Sequence, residues 1–253
     1  MKFSTKILLL GLLTITGLVI TFLLSPKPQS NSYHAFADHT QFLGIANFLN
    51  VFTNLPFIIV GIIGLRLLSK TAVKRPIAVI YGVLFTGIFL IGLGSSYYHL
   101  APNNNSLVWD RIPMTIVFMA FLTAVIAECI NIKTGRLLLF PLVIVGIASV
   151  LWWNYTEQIG HGDMRLYGFV QFYPVIVIPV ILMLFPSPVN AKAWRSLMWV
   201  VIWYIFAKLF EHFDKEIYVT TGFVSGHSLK HIAAATATWY MVHAFAKKYR
   251  APM

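Results

Sequence analysis

Cysteine and acidic residues are what this chain has least of. One cysteine, Cys129, stands among 253 residues, so no intrachain disulfide can form and no cysteine-based zinc knuckle can be built. Asp and Glu together number 8, and all charged residues amount to 11% of the chain. A soluble domain carries about 25% charged residues, and side chains this apolar cannot cover a water-exposed globule. Intrinsic disorder, which needs low hydrophobicity and high charge, is excluded by the same scarcity.

What fills the chain instead is apolar: 58% hydrophobic residues, with 20 Phe, 11 Tyr and 7 Trp, and a mean hydropathy of +0.76. A helix rises about 1.5 Å per residue, so about 20 apolar residues cross a hydrocarbon core of about 30 Å. Eight stretches qualify: Ile7–Leu24, Leu43–Leu68, Ile77–Tyr98, Pro113–Ile130, Leu137–Trp153, Phe169–Phe185, Leu197–Phe210 and Leu229–Ala246. The expected fold is an all-α membrane protein, a seven-transmembrane-helix bundle with an additional N-terminal transmembrane helix or signal-anchor. Residues 1–30 hold that first span and a short linker, and residues 31–253 form the seven-helix domain. Ser25-Pro26-Lys27-Pro28 offers no small-x-small cleavage site, which favours an uncleaved first helix.

Lys and Arg number 19, a formal net charge of +11. They are spread singly among apolar spans and form no basic stripe, so they read as topology signals and predict no nucleic-acid partner. With Lys2 and Lys6 in the cytoplasm, the inner loops collect Arg66, Lys70, Lys74 and Arg75, then Lys133 and Arg136, Lys192 and Arg195, and finally Lys247, Lys248 and Arg250. All acids except Glu128 fall toward the other side. Both termini are therefore expected to be cytoplasmic. The short loops are compatible with a monomer.

Ionisable residues inside membrane spans are expensive and mark function. Three clusters fall at the outer helix ends. One span closes on Gly94-Ser95-Ser96-Tyr97-Tyr98-His99, the next opens on Trp109-Asp110-Arg111-Ile112-Pro113-Met114, and the last opens on Gly226-His227-Ser228-Leu229-Lys230-His231. His227 and His231 are four apart and share a helix face, as do Ser95 and His99. Three imidazoles brought together make the donor set of a catalytic zinc site, and a nearby carboxylate such as Asp110 could manage the proton of a water. A serine hydroxyl could donate to a developing oxyanion. Each element has a plainer reading. An i,i+4 histidine pair arises by chance, Asp110 and Arg111 could be an interfacial ion pair, and Ser95 could bond back to a helix carbonyl. Haem would need axial ligands at mid-span, whereas these histidines lie at helix ends.

Ser95-x-x-x-His99, Asp110 within Trp-Asp-Arg-Ile-Pro-Met, and His227-x-x-x-His231 together resemble the alkaline ceramidases of the CREST superfamily. That superfamily also holds the progestin/adiponectin-type receptors and the hydrolases that remodel GPI anchors. The resemblance runs from about Tyr33 to Tyr249. It implies seven helices around a zinc ion ligated by His99, His227 and His231, with Asp110 as the base for water and Ser95 supporting the oxyanion. Asn47 to Asn54 resembles the family's first core helix, where asparagines pack near the site. The family's calcium site precedes that helix. Here the segment Ala37-Asp38-His39-Thr40-Gln41 is short and poor in the hard oxygen ligands calcium prefers, so Asp38 is expected to be a helix cap or a partner of the ligands. The implied activity is hydrolysis of the N-acyl amide of a ceramide-like membrane lipid on the outer side. The alternatives are a lipid esterase or phospholipase on the same scaffold, and a zinc-containing receptor or sensor with little turnover. The presence of both Ser95 and Asp110 favours an enzyme. His161 to Arg165 and Glu211 to Asp214 lie on the site's side as solvated loop, lid or headgroup contacts, while His243 lies at the inner end as a structural residue.

Overall fold

In the computed structural model, which describes residues 1–186 and 188–249 (the side chains of 188–195 excepted), each of the eight apolar stretches carries a helix. The order is α1 Phe3–Leu23, α2 Phe48–Phe52, α3 Leu55–Ser69, α4 Arg75–Leu100, α5 Asn104–Cys129, α6 Ile132–Gln158, α7 Arg165–Leu184, α8 Pro188–His212, α9 Asp214–Thr221 and α10 Gly226–Tyr249. No strand is found among the described residues. Among the described residues, six spans, with α2 and α3 counted as one, are long and apolar enough to cross a membrane. A seventh is added if α8 and α9, bent by 75° from each other, count as one. The 24 residues of α10 are long enough to cross as well, at about 36 Å, but its first turns carry two histidines and a lysine. The protein is a multi-pass helical membrane protein.

α4 and α5 lie side by side, and α5 also packs on α6 and α7. α3 and α10 close the other flank against α4 and α8, and α1 packs along α7 with no residue buried. The main core between α4, α5 and α10 contains Leu84, Phe85, Ile88, Ala120 and Phe245 at 0% exposure.

Two departures from the expected boundaries matter for the site. The second span begins at Phe48, not Leu43, because Leu43 and Asn47 adopt left-handed backbone (φ 51° and 49°) around a turn closed by Phe42 and Ile45. α5 begins nine residues before Pro113. Asn103 accepts from the Ser106 amide at 3.0 Å while the Ser106 hydroxyl accepts from the Asn103 amide at 3.1 Å, a reciprocal cap that starts the helix. Asp110 is thus inside a helix and not in the loop before one.

Pro113 then acts from within α5. It has no N–H for the carbonyl of Trp109, four residues earlier. That carbonyl faces Gly94 of α4, where any Cβ would collide with it. Proline in one helix and glycine in the other let the two backbones touch one residue away from both Ser95 and Asp110.

The helix ends sort into two layers. His99, Asp110 and His227 lie at one end, with the start of α2, the ends of α6 and α8, and the irregular segment between α1 and α2. At the other end, Tyr81, Glu128, Lys248 and Tyr249 are hydrogen-bonded together, and Lys6 lies 4.9 Å from the ring of Phe185. The basic residues read as topology signals gather at this second end. Of the others assigned to the same side, Arg250 lies outside the described residues, and Lys192 and Arg195 are among those whose side chains are excepted.

Candidate metal centre

His99 closes α4, and His227 and His231 occupy the first two turns of α10. The three rings meet with centroids 4.8 Å apart in every pair. One nitrogen from each lies within 4.8 Å of the others, and all three residues are buried. Nε2 of His99 and Nε2 of His227 are 3.3 Å apart. Two nitrogens held by one tetrahedral zinc at about 2.0–2.1 Å lie about 3.3–3.4 Å from each other, so this edge already has the length such an ion requires.

The tautomer of His231 is fixed by its neighbour. Thr53 Oγ1 donates its single proton to the Leu49 carbonyl at 2.6 Å, and it also lies 3.0 Å from His231 Nδ1. Toward the ring the hydroxyl can therefore only accept, which puts the proton on Nδ1 and leaves the Nε2 lone pair free to ligate. The donor set, its spacing and this tautomer all suit a metal such as zinc.

Backbone contacts hold the ligands. Asn47 Nδ2 donates to the His99 carbonyl at 2.8 Å, satisfying an acceptor that the helix end leaves open. Asp214 Oδ1 accepts from the His227 amide at 2.7 Å, and its Oδ2 accepts from the Ala37 amide at 2.9 Å. One carboxylate thus caps α10 and ties down the segment that carries Phe36. The Phe36 ring lies 4.7 Å from His99 and 4.3 Å from His227, covering the cluster. His34 pins the same segment to Tyr98 and Asn104, each at 2.9 Å. Asn50 Oδ1 accepts from Ser228 at 2.8 Å, and Asn54 Nδ2 donates to the Asn50 carbonyl at 2.8 Å. The asparagines expected near the site are there.

Asp110 is buried on α5, with the Ser95 side chain beside it. Ser95, Asp110 and His231 line one apolar cavity of about 1010 Å³, its open mouth included. It runs between α3, α4, α5, α7, α8 and α10, along Phe57, Val117, Phe118, Ile178, Val201 and Met241. The reading of Asp110 and Arg111 as an ion pair does not hold. Arg111 turns away, its guanidinium 4.1 Å from the Trp153 ring and 4.4 Å from that of Tyr167, and it donates to Gln29. Successive residues on a helix point about 100° apart, so Asp110 can face α4 while Arg111 faces α6 and α7.

Asp38 is fully buried, but it closes a turn by accepting from the Thr40 amide at 2.8 Å and caps no helix. It is the only carboxylate in residues 37–41, a poor fit to the several oxygens calcium takes. His161 is exposed, and Asp163 pairs with Arg165 at 2.8 Å; the hydrogen bonds from Arg165 hold the Asp163 carboxyl below its usual range. His212 packs against Phe213, and His243 sits beside Tyr240 in the far half of α10.

Three features escaped the sequence. Thr53 meets His231 across 178 positions, Arg111 stacks on rings from two other helices, and Glu211 bridges two lysines. Burial pushes the Tyr33 phenol above its usual pKa, keeping it a neutral donor to Glu211 at 3.5 Å. Only the Glu211–Lys208 spacing was visible locally, as an i,i+3 pair.

The fold and the site together define a multi-pass helical membrane protein with a buried three-histidine cluster, able to hold a metal, at the head of an apolar cavity. Residues 37–250 match the sequence model of the Ceramidase family, and the chain belongs to that family. No curated protein matches the chain.

Proposed function

We propose that this protein is a zinc-dependent hydrolase that cleaves the N-acyl amide of a ceramide-like membrane lipid. The observation that carries the reading is the shared cavity: His231, Asp110 and Ser95 stand at its head, and the rest of its wall is almost wholly apolar. A lipid enters such a site sideways from the bilayer with its acyl chain along the wall, while Phe36 and the segment pinned by His34 cover the polar side. Membership of the Ceramidase family supports an amide as the scissile group.

His99, His227 and His231 would hold the metal, which supplies Lewis acidity toward a carbonyl oxygen and lowers the pKa of water. Asp110 takes the proton of the attacking water as the C–O bond forms and passes it to the amine nitrogen as the C–N bond breaks. Ser95 has one proton. While bonded to Asp110 it orients the carboxylate; rotated about χ1 it can serve the oxyanion. The bias of the basic residues supports cytoplasmic termini and a site in the outer half of the membrane.

The test is turnover by purified, zinc-loaded protein on a ceramide and on an ester of the same acyl chain, with release of fatty acid and free amine measured together. Amide cleavage that disappears on chelation and returns with zinc supports the reading. Cleavage of the ester alone would replace it with an esterase, and no turnover on either would favour a sensor.

A further inference from the structure

Among the described residues lining the cavity, Lys230 is the only one that carries a fixed positive charge. It sits one position before His231 on α10, and its side chain is 16% exposed. Its Nζ donates to Glu211 Oε1 at 2.6 Å, while the other oxygen of Glu211 is taken by Lys208, whose side chain is 39% exposed. An ammonium has three N–H bonds, and Glu211 uses one of them. Two remain, and the Lys230 side chain lines a chamber shared with Asp110, whose charge it feels, and walled by Phe118, Val175, Ile178, Val201 and Ala234. Buried donors without acceptors are costly, and charged ones more so.

We propose that Lys230 is the anchor for the carboxylate of a long-chain fatty acid whose chain fills the cavity. This rests on the proposed function, because that fatty acid is the acyl product of the hydrolysis. The chemistry selects a carboxylate on three counts. The cavity wall is almost wholly apolar and suits an acyl chain. Its head presents one ammonium, which favours an anionic oxygen over a neutral hydroxyl by a charge-assisted hydrogen bond. Asp110 beside it disfavours a dianionic phosphate.

The experiment measures binding of palmitate and of hexadecanol to the purified full chain in detergent, by competition with a fluorescent fatty-acid analogue, before and after chelation of metal. Wild-type protein prefers palmitate on the order of tenfold or more, the weight of one charge-assisted hydrogen bond, and keeps that preference after chelation. Lys230→Gln erases the preference and leaves hexadecanol binding unchanged, which also reports an intact cavity. The double variant Lys230→Gln/Glu211→Gln does the same without stranding a buried carboxylate. Lys208→Gln keeps the preference, since Lys208 does not line the cavity.

Equal binding of the two ligands to chelated wild-type protein overturns the proposal, because the metal alone would then be the anchor. A palmitate preference that survives in either Lys230 variant overturns it too, as does its complete loss in Lys208→Gln. None of these readings needs turnover. Protein that binds palmitate through Lys230 yet cleaves no amide would sink the proposed reaction and leave the carboxylate site standing.

Discussion

The two ends of the bundle face the same physical demand and meet it differently. Buried polar atoms need partners. At the end where α1 begins and α10 finishes, Glu128 is fully engaged, accepting from Tyr81 at 2.6 Å, Lys248 at 2.6 Å and Tyr249 at 3.1 Å. At the histidine end, His99 Nδ1, Asp38 Oδ2, Asn54 Oδ1 and Arg111 Nη1 are buried with no hydrogen-bond partner. Three helices are tied by a closed knot at one end, while at the other they are held by backbone caps with side-chain valences left over. The first arrangement is what stability asks for. The second is what a site looks like when part of its chemistry comes from a guest.

The sharpest way to break this comparison is to remove a ligand. His227→Ala leaves two imidazoles, too few for a closed zinc site. Elemental analysis should fall from about one zinc per chain to near none, and lipid hydrolysis should fall to background. His243→Ala, at the far half of the same helix, should keep its zinc. Equal loss in both variants would mean that the histidine end has no special claim on metal.

Asp110→Asn separates the metal from the reaction. It keeps the shape and a hydrogen-bond acceptor for Ser95 but removes the base, which typically costs about 10²–10⁴-fold in rate. Zinc content should stay near normal. Ser95→Ala should cost less, since it removes only the hydroxyl that orients the carboxylate or assists the oxyanion. If Asp110→Asn sheds zinc as readily as His227→Ala, Asp110 is a ligand, and the proton must travel by another group.

A smaller effect is expected one step further out. Thr53→Val keeps the volume and removes the acceptor that holds the Nδ1 proton of His231. Losing such an outer partner costs about 10–100-fold in metal affinity. Titration against a competing chelator should show that weakening while the stoichiometry at saturating zinc remains one. Unchanged affinity would assign the tautomer of His231 to some other contact.

The sequence made the histidines legible because they are four apart on one helix and share a membrane depth with His99. Every apolar stretch carried a helix for the same elementary reason, since a backbone in hydrocarbon must satisfy its own hydrogen bonds. Boundaries were the part that hydropathy blurred. Residues 104–112 of α5 include Asn104, Asn105, Asp110 and Arg111, and read as a loop until the Asn103–Ser106 cap is recognised. Pro113 looked like a helix start, yet it sits mid-helix, where its missing N–H serves contact with Gly94. Thr53, Arg111 and the Glu211–Lys230 bridge were out of reach because their partners come from other helices, and no local spacing encodes those meetings.

The smallest expected effect on chemistry lies at the closed end and tests whether the two ends are separable. Glu128→Gln keeps the volume and one acceptor for the tyrosines, but it removes the charge that holds Lys248. Hydrogen bonds to charged groups contribute about 1.5–3 kcal/mol, so the melting temperature in detergent should drop by several degrees, at about 2–4 °C per kcal/mol for a chain of this size. Glu128 stands 18 positions along α5 from Asp110, about 27 Å at the helical rise. Zinc stoichiometry and turnover per folded molecule should therefore be unchanged. If turnover falls while the melting temperature holds, the knot at the closed end is coupled to the site through α5, and the division of labour between the two ends is wrong.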